Sequence, residues 1–343
     1  MIADSAETPS EPLPYISLPD VLEPFRGGRA HFVSPPGNNG DHLIYLGTLE
    51  ACRRGEIELV RRASSADVIF LNGGATMTDF WPAGFRRLDQ YSRRFPNKPF
   101  VVMPNSFLFD KTDLAGILGQ RKGRTILLAR ERQSAQRLAD VTLPDGCEPR
   151  LSDDAALELH GSEIVEKYKR EGSEKHVLVV DRQDREASSD VAFEPAGYQR
   201  QVMTPLKLWR HRLRPWLRVK SNPNRAAKAE LAGLGIMPVT DRTHRLLQPA
   251  FDDQPAWRDL PIINADVSDC GLFRFDTFCQ MIADAAVVVS TRLHAGIFAA
   301  LLGKPTYLVP QKYGKIDGIY NLSMSHMPNV RLVSDAGQPE STT

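Results

Sequence analysis

The chain has 343 residues, 42% of them hydrophobic and 25% charged, a composition typical of a globular protein long enough for two domains. Its 43 Lys and Arg residues nearly balance its 42 Asp and Glu residues, which argues against a partner recruited by overall charge, such as nucleic acid. Four cysteines without CxxC or zinc spacing exclude a disulfide framework and predict no metal site. No apolar run approaches the roughly 18 residues of a membrane span.

Residues 1–25 are acidic and rich in proline, so they predict a loose tail rather than a signal peptide. From about residue 30, short apolar runs alternate with amphipathic ones, at HFVSPPGNNGDHLIYLGTLEACRRG, ADVIFLNGG, KPFVVMPNSF and RTILLARERQSAQRLAD. Each apolar run reads as a buried strand that ends in a glycine or polar turn. Strands that alternate with helices predict crossover connections and a parallel sheet.

The alternation restarts at KHVLVVDRQDRE, after a polar stretch that we interpret as the domain boundary. We therefore predict an α/β protein with two Rossmann-like domains, residues 26–170 and 171–335. They are expected to face each other across a cleft at the carboxyl ends of their strands, where open parallel sheets bind ligands. The basic, tryptophan-containing stretch of residues 205–220 is either a solvated insertion or a surface that contacts a membrane or nucleic acid.

The stretch VVVSTRLHAGIFAALLGKP places Arg292 and His294 at a turn between a strand and a helix. The helix N-terminus and the arginine fork are both suited to an anion. His294 can donate a proton near neutral pH. The alternative is structural: Arg292 pairs with an acid across the domain, and His294 caps the helix or fills the core.

Three weaker patterns lie in the first half of the chain. Asp41 is either a helix cap or a carboxylate that accepts a proton from a sugar hydroxyl. Gly73 and Gly74 either allow a ligand to approach the backbone or form a tight turn. Arg130 and Glu131 either line the cleft or form a surface pair that holds a turn.

Seven motifs together resemble the polysaccharide pyruvyl transferase family over residues 31–325. They are GNNGD at 37–41, NGG at 72–74, PNS at 104–106, RERQS at 130–134, SDDAAL at 152–157, the arginine of VVDRQD, and STRLHAGIFAALLGKP at 290–305. The resemblance implies a fold similar to that of the B-type glycosyltransferases. It also implies transfer of a pyruvyl group from phosphoenolpyruvate to sugar hydroxyls, with formation of a cyclic ketal and release of phosphate, in exopolysaccharide biosynthesis at the cell envelope.

The resemblance also implies residue roles. It associates Arg292, Leu293 and His294 with donor binding and catalysis, and we expect His294 to act as the acid and Asp41 as the base. Phosphoenolpyruvate carries two anionic groups, so Arg182 and Lys312 are further donor-binding candidates. The acceptor side, or the cleft, is expected to contain Asn39, Gly73, Gly74, Ser106, Arg130 and Glu131.

The expected partners are phosphoenolpyruvate, as donor substrate, and a sugar or lipid-linked oligosaccharide acceptor, with no cofactor. A lipid-linked acceptor would bring this cytoplasmic enzyme into peripheral contact with the inner membrane face. Two alternatives stay open: a nucleotide-sugar-dependent glycosyltransferase of the same architecture, and a non-catalytic member that binds glycans. The sequence leaves the oligomeric state undetermined.

Overall fold

The computed structural model describes residues 12–182, 233, 235–310 and 314–333. The chain forms two compact units: the first comprises residues up to Glu166 together with Gly314–Pro328, and the second comprises the rest. The prediction had assigned all of residues 171–335 to the second domain. The difference arises because Gly314–Pro328 packs on the first unit, where Ser323 hydrogen-bonds to Asp153.

The first unit is built on a seven-stranded parallel sheet. Its strands are β1 (Arg29–Val33), β2 (Glu58–Leu59), β3 (Val68–Leu71), β4 (Gly74–Thr78), β5 (Phe100–Leu108), β6 (Thr125–Ala129) and β7 (Cys147–Leu151). The order is β2-β1-β3-β5-β6-β7, and β4 also pairs with β5. From β1 the chain moves to β2 on one side and then to β3 on the other side of β1. The strand order therefore reverses between β1 and β3.

The helices of the first unit follow the predicted crossover pattern. They are α1 (Leu18–Leu22), α2 (Asn39–Arg54), α3 (Ala83–Arg94), α4 (Leu114–Leu118), α5 (Arg132–Ala139) and the first part of α6 (Glu163–Glu171), whose residues after Glu166 belong to the second unit, with 3₁₀ turns at Glu23–Phe25, Ala63–Ser65 and Ala155–Leu159. The central strands β3 and β6 are buried at every position, as expected of parallel strands covered on both faces. The core of this unit includes Ile69, Leu71, Phe100, Val102, Phe107 and Leu127.

The N-terminal segment differs from the predicted loose tail over its described residues. Tyr15 pairs in parallel with Leu151, and Ile16 N donates to Leu151 O at 2.8 Å. Helix α1 then buries Leu18 and Leu22. The proline and acidic residues of this segment do not form the apolar periodicity that predicts a strand. The segment is ordered because its backbone hydrogen-bonds to the edge strand β7, which requires no such periodicity.

The second unit contains a six-stranded sheet with the order β13-β12-β11-β8-β10-β9. Its strands are β8 (His176–Val180), β9 (Ile236–Met237), β10 (Ile262–Ala265), β11 (Ala285–Ser290), β12 (Thr306–Leu308) and β13 (Val330–Leu332). All pairs are parallel except β9 with β10. Strand β8 lies between β10 and β11, so the order of the parallel strands reverses between β8 and β11.

The helices of the second unit are α7 (Asp241–Asp253), α8 (Phe275–Ala283) and α9 (Leu293–Leu301), with a 3₁₀ turn at Pro255–Asp259. Helix α10 (Lys315–Ile319) and the π-helix Tyr320–Met324 then return to the first unit. The α/β class with parallel sheets is thus confirmed. No helix in the described ranges combines the length and apolar character that a membrane crossing requires. Residues 205–220 lie outside those ranges.

Candidate functional site

The first candidate region is the point in the first sheet where the strand order reverses. Open parallel sheets bind ligands in the crevice at such a point, outside the carboxyl ends of the two strands. The turn after β1 carries the GNNGD motif into α2, and the turn after β3 carries Gly73 and Gly74. The topology therefore places two separately predicted motifs side by side.

Asp41 is part of a capping box at the start of α2. Its Oδ2 accepts a hydrogen bond from Asn38 N at 2.8 Å, while Asn38 Oδ1 accepts from Gly40 N at 2.7 Å and from Asp41 N at 3.2 Å. These bonds satisfy backbone donors that the first helical turn leaves without partners. The capping interpretation is therefore correct, and the role of Asp41 as a base stays a prediction. Asn39, the first residue of α2, is buried.

The two glycines have a packing reason to be glycine. A Cβ on Gly73 would lie 2.4 Å from Pro104 O, and Gly74 has φ +122°, a conformation that favours glycine. A Cβ on Gly74 would also lie 3.4 Å from Asp41 Oδ1. The glycines thus let the end of β3 approach both β5 and the capping carboxylate. Their predicted approach to a ligand is not tested by this packing.

Two buried asparagines in the same region were quoted within motifs but not identified as site residues. Asn105 Oδ1 accepts from Thr76 N at 3.1 Å, and its Nδ2 donates to Asn72 O at 3.1 Å. Asn72 is only 2% exposed, and its Oδ1 accepts no hydrogen bond from the described part of the chain. A buried acceptor without a partner is uncommon, so it marks this edge as a place where a ligand or water is expected.

Ser106, Arg130 and Glu131 form a buried network at the ends of β5 and β6. Arg130 Nε donates to Ser106 Oγ at 3.0 Å, and its Nη1 lies 2.5 Å from Asp154 Oδ2. Ser106 Oγ donates to Glu131 Oε2 at 3.1 Å, and Ser134 Oγ donates to Glu131 Oε1. Burial raises the pKa of the Glu131 carboxyl, and the nearby Arg130 guanidinium opposes that shift.

This network corrects one of the two sequence interpretations of Arg130 and Glu131. With 2% and 1% of their surfaces exposed, they do not form a surface pair, while their place in a cleft stays a prediction. Asp154, which completes the network, was not predicted, although it belongs to the quoted SDDAAL motif. An aspartate directly before a short apolar run is typical of a helix cap, and Asp154 has that role. Its Oδ1 accepts a hydrogen bond from Ala156 N at 2.9 Å at the start of the 3₁₀ turn.

The second candidate region is the corresponding reversal between β8 and β11. Arg182 follows β8, and its N donates to Thr291 Oγ1 at 2.7 Å in the turn after β11. Thr291 N in turn donates to Val180 O at 3.0 Å. The structure therefore brings Arg182 beside the turn that contains Arg292, Leu293 and His294. Lys312, the remaining donor-side candidate, lies outside the described residues.

Arg292 is the N-cap residue of α9 and is held on two sides. Its backbone N donates to Ser290 Oγ at 3.0 Å, and its guanidinium forms a bidentate ion pair with Asp266, with Nε–Oδ1 at 3.0 Å and Nη2–Oδ2 at 2.5 Å. Only 8% of Arg292 is exposed. An acid across the domain therefore does pair with it, and Asp266, which follows β10, was not predicted from the sequence.

The remaining residues of this turn are the first two of α9. Leu293 and His294 are both partly buried, in a turn where the backbone N–H groups have no partner within the helix. Aligned peptide dipoles give this helix end a partial positive charge. The second region thus offers an anion a buried arginine of fixed orientation, a helix N-terminus and a histidine.

Comparison with known proteins finds a matching family and a solved structure with a similar fold. The family model described as polysaccharide pyruvyl transferase matches residues 38–313. No curated protein matches the chain. Among solved structures, an uncharacterized protein from Klebsiella pneumoniae subsp. pneumoniae NTUH-K2044 is similar, with a TM-score of 0.56 and 15% identity over 92% of this chain and 96% of that chain. At that identity the likeness concerns the fold alone.

Proposed function

We propose, from the premise that this chain belongs to the polysaccharide pyruvyl transferase family, that its donor is phosphoenolpyruvate and its product a cyclic pyruvate ketal. Family membership supports a transferase that moves pyruvyl groups to polysaccharides. The acceptor would supply two hydroxyls of one sugar, in a polysaccharide or a lipid-linked precursor. Inorganic phosphate would be released.

The observation that carries the donor assignment is the arrangement at the second strand reversal. Arg292 and Arg182 come from the ends of adjacent strands, and α9 begins at the same point. Phosphoenolpyruvate has a carboxylate and a phosphate, which suit an arginine fork and helix N–H groups respectively. Asp266 orients Arg292 through a bidentate pair, so the guanidinium is held in place before a substrate arrives.

The chemistry needs one acid early in the reaction. Protonation of the methylene carbon of phosphoenolpyruvate by His294 would leave positive charge on the adjacent carbon, which bears the phosphate. One sugar hydroxyl attacks that carbon and loses its proton, and the carbon–oxygen bond to phosphate breaks. A second hydroxyl then attacks the same carbon and loses its proton to the deprotonated His294, which closes the ketal and restores the acid. A positioned acid contributes typically about 10² to 10⁴ in rate.

The base for the first hydroxyl is proposed to be Asp41. Its Oδ2 accepts a hydrogen bond from Asn38 N, which fixes the group, and a Cβ on Gly74 would lie 3.4 Å from its Oδ1. Asn72 Oδ1 at the same edge, which has no hydrogen-bond partner among the described residues, could accept a hydrogen bond from a further sugar hydroxyl. We therefore assign the acceptor to the first strand reversal.

Calorimetric titration with phosphoenolpyruvate, beside UDP and GDP sugars, tests the donor. Arg292→Ala is expected to weaken phosphoenolpyruvate binding by about 10- to 100-fold, as expected for loss of a charged hydrogen-bonding partner. Because this variant leaves Asp266 buried without its partner, Arg292→Lys serves as a second variant that keeps a charge there. Arg258→Ala, which removes a surface arginine of the same unit, is the matched control.

Each outcome separates the candidate functions. Saturable phosphoenolpyruvate binding that Arg292→Ala weakens and Arg258→Ala preserves would support the proposal. Binding of a nucleotide sugar in its place would indicate a glycosyltransferase, and glycan binding without any phosphate release would indicate a non-catalytic member. The cleft between Rossmann-like domains, the B-type glycosyltransferase likeness and a peripheral contact at the inner membrane face stay predictions.

A further inference from the structure

A pocket lies within the first unit, at the ends of β6 and β7. It has a volume of about 530 Å³ and is lined by the N-terminal segment, the start of α5, the end of β7 and the π-helix. Small-molecule sites commonly occupy such volumes. Neither strand reversal includes this pocket, so the function proposed above leaves it without a role.

Asp153 ties three distant segments into one wall of the pocket. Tyr15 OH donates to Asp153 Oδ2 at 2.6 Å, and Ser323 Oγ donates to Asp153 Oδ1 at 2.5 Å. Hydroxyl bonds to a carboxylate of this length are charge-assisted and strong. Tyr15 is exposed over about half of its surface, but partial burial, followed by the bond to Asp153, raises the pKa of its phenol, so the phenol remains a donor. These two hydrogen bonds therefore hold Tyr15, Asp153 and Ser323 together on one side of the pocket.

The π-helix Tyr320–Met324 contributes Ser323 to this wall. Ser325 N donates to Tyr320 O at 2.8 Å, across five residues rather than four. Such turns are rare and frequently occur at functional sites. Leu322 and Ser323, two consecutive residues of this turn, both line the pocket.

The pocket combines an apolar wall with a cationic rim. Leu13, Leu151 and Leu322 supply the apolar surface, and Arg132 and His326 are exposed at the rim. Arg132 has no ion-pair partner within the part of the chain that the structure describes. Both oxygens of Asp153 already accept hydrogen bonds from hydroxyls, so that carboxylate has a structural role in the pocket wall. A ligand with an apolar face and one anionic group would complement these surfaces.

A carboxylate fits this rim better than a phosphate. A single arginine fork matches a planar carboxylate in a bidentate pair. A phosphate dianion would need more positive charge, and the negative charge of Asp153 in the same pocket would repel it. The charge pattern therefore favours a singly charged, planar anion.

We propose that this pocket binds a carboxylate-bearing sugar residue of the acceptor, with Arg132 paired to the carboxylate and the leucines packed on the sugar ring. This inference rests on the proposed function for its sugar class. The strand order places the pocket three strand spacings from the first reversal, roughly 14 Å along the same sheet edge at about 4.8 Å per strand. One acceptor that reaches both places must be an oligosaccharide of several units.

Ligand-observed NMR titration of the full chain tests this site without any donor present. The probes are methyl β-glucuronide, the neutral methyl β-glucoside and glucose 6-phosphate. We expect the glucuronide to bind about tenfold more tightly than the glucoside, which is the factor that one charged pair typically supplies. Arg132→Gln should abolish that preference, and Arg87→Gln, at an exposed position on α3, should keep it.

Arg132 and Arg87 are both exposed, so proteins with these substitutions are expected to fold. Equal binding of glucuronide and glucoside, binding of neither, stronger binding of the phosphate, or a preference that survives Arg132→Gln would each overturn the proposal. Phosphoenolpyruvate titration of the same protein reports separately on the donor. A glucuronide preference that depends on Arg132 would therefore stand even if phosphoenolpyruvate failed to bind.

Discussion

Asp154→Asn is expected to lower the stability of the first unit by about 3 kcal/mol, because it removes the charge that faces a buried guanidinium. Arg130 Nη1 lies 2.5 Å from Asp154 Oδ2, and both side chains are almost fully buried. Removal of one partner from such a pair costs about 3–5 kcal/mol. The lower value applies because Glu131 Oε2 remains 3.7 Å from Arg130 Nε and offsets part of the lost charge. Asparagine also keeps the cap on Ala156 N.

Thermal unfolding measures this loss. For a unit of this size, 3 kcal/mol corresponds to a melting temperature lower by about 6–12 °C, at about 2–4 °C per kcal/mol. Asp67→Asn is the matched control, since Asp67 pairs with Arg29 on the surface and the side chains are 53% and 50% exposed. Its shift should be much smaller. Equal shifts in the two variants, or a shift below about 2 °C for Asp154→Asn, would refute the reasoning.

Three further results are expected. His294→Ala should keep phosphoenolpyruvate affinity but lower phosphate release by about 10² to 10⁴; normal turnover would assign the histidine to structure. Gly73→Ala should lower the melting temperature, because its Cβ would lie 2.4 Å from Pro104 O, and an unchanged value would contradict this packing. Burial lowers the pKa of His176, whose Nε2 lies 3.0 Å from Met281 O. The unfolded chain therefore binds that proton first, at about pH 6.5, and stability should fall as the pH drops below this value. His176→Gln should reduce the fall in melting temperature between pH 7 and 5. An equal fall in the variant and the unmodified protein would exclude His176 as the cause.

The turns at the strand reversals show how far sequence reasoning reaches. The apolar run that ends in Arg292 and His294 predicts a buried strand and a helix start, and β11 and α9 have those positions. The GNNGD motif predicts a helix cap, and Asn38 and Asp41 form a capping box there. Such features depend on neighbours within a few residues, so periodicity and turn chemistry are sufficient to find them.

Periodicity and turn chemistry do not predict the partners of these residues. Asp266 meets Arg292 across 26 positions of the chain, and Asp153 joins Tyr15 to Ser323 across 308 positions. Nothing in the local pattern around these aspartates separates them from others on the surface. Pairing of this kind depends on which strands become neighbours, and that is decided by the packing of the sheets.

The sequence by itself determined the alternation of strands and helices, the parallel sheets that follow from it and the strand-end turns that carry arginine, histidine and glycine, since each rests on local chain geometry. Only the tertiary structure decided that Arg130 and Glu131 are buried and that Gly314–Pro328 returns to the first unit. It also decided that the N-terminal segment completes a pocket with Arg132. The physical reason is that burial and charge pairing are properties of the space between elements, which no short stretch of sequence encodes alone.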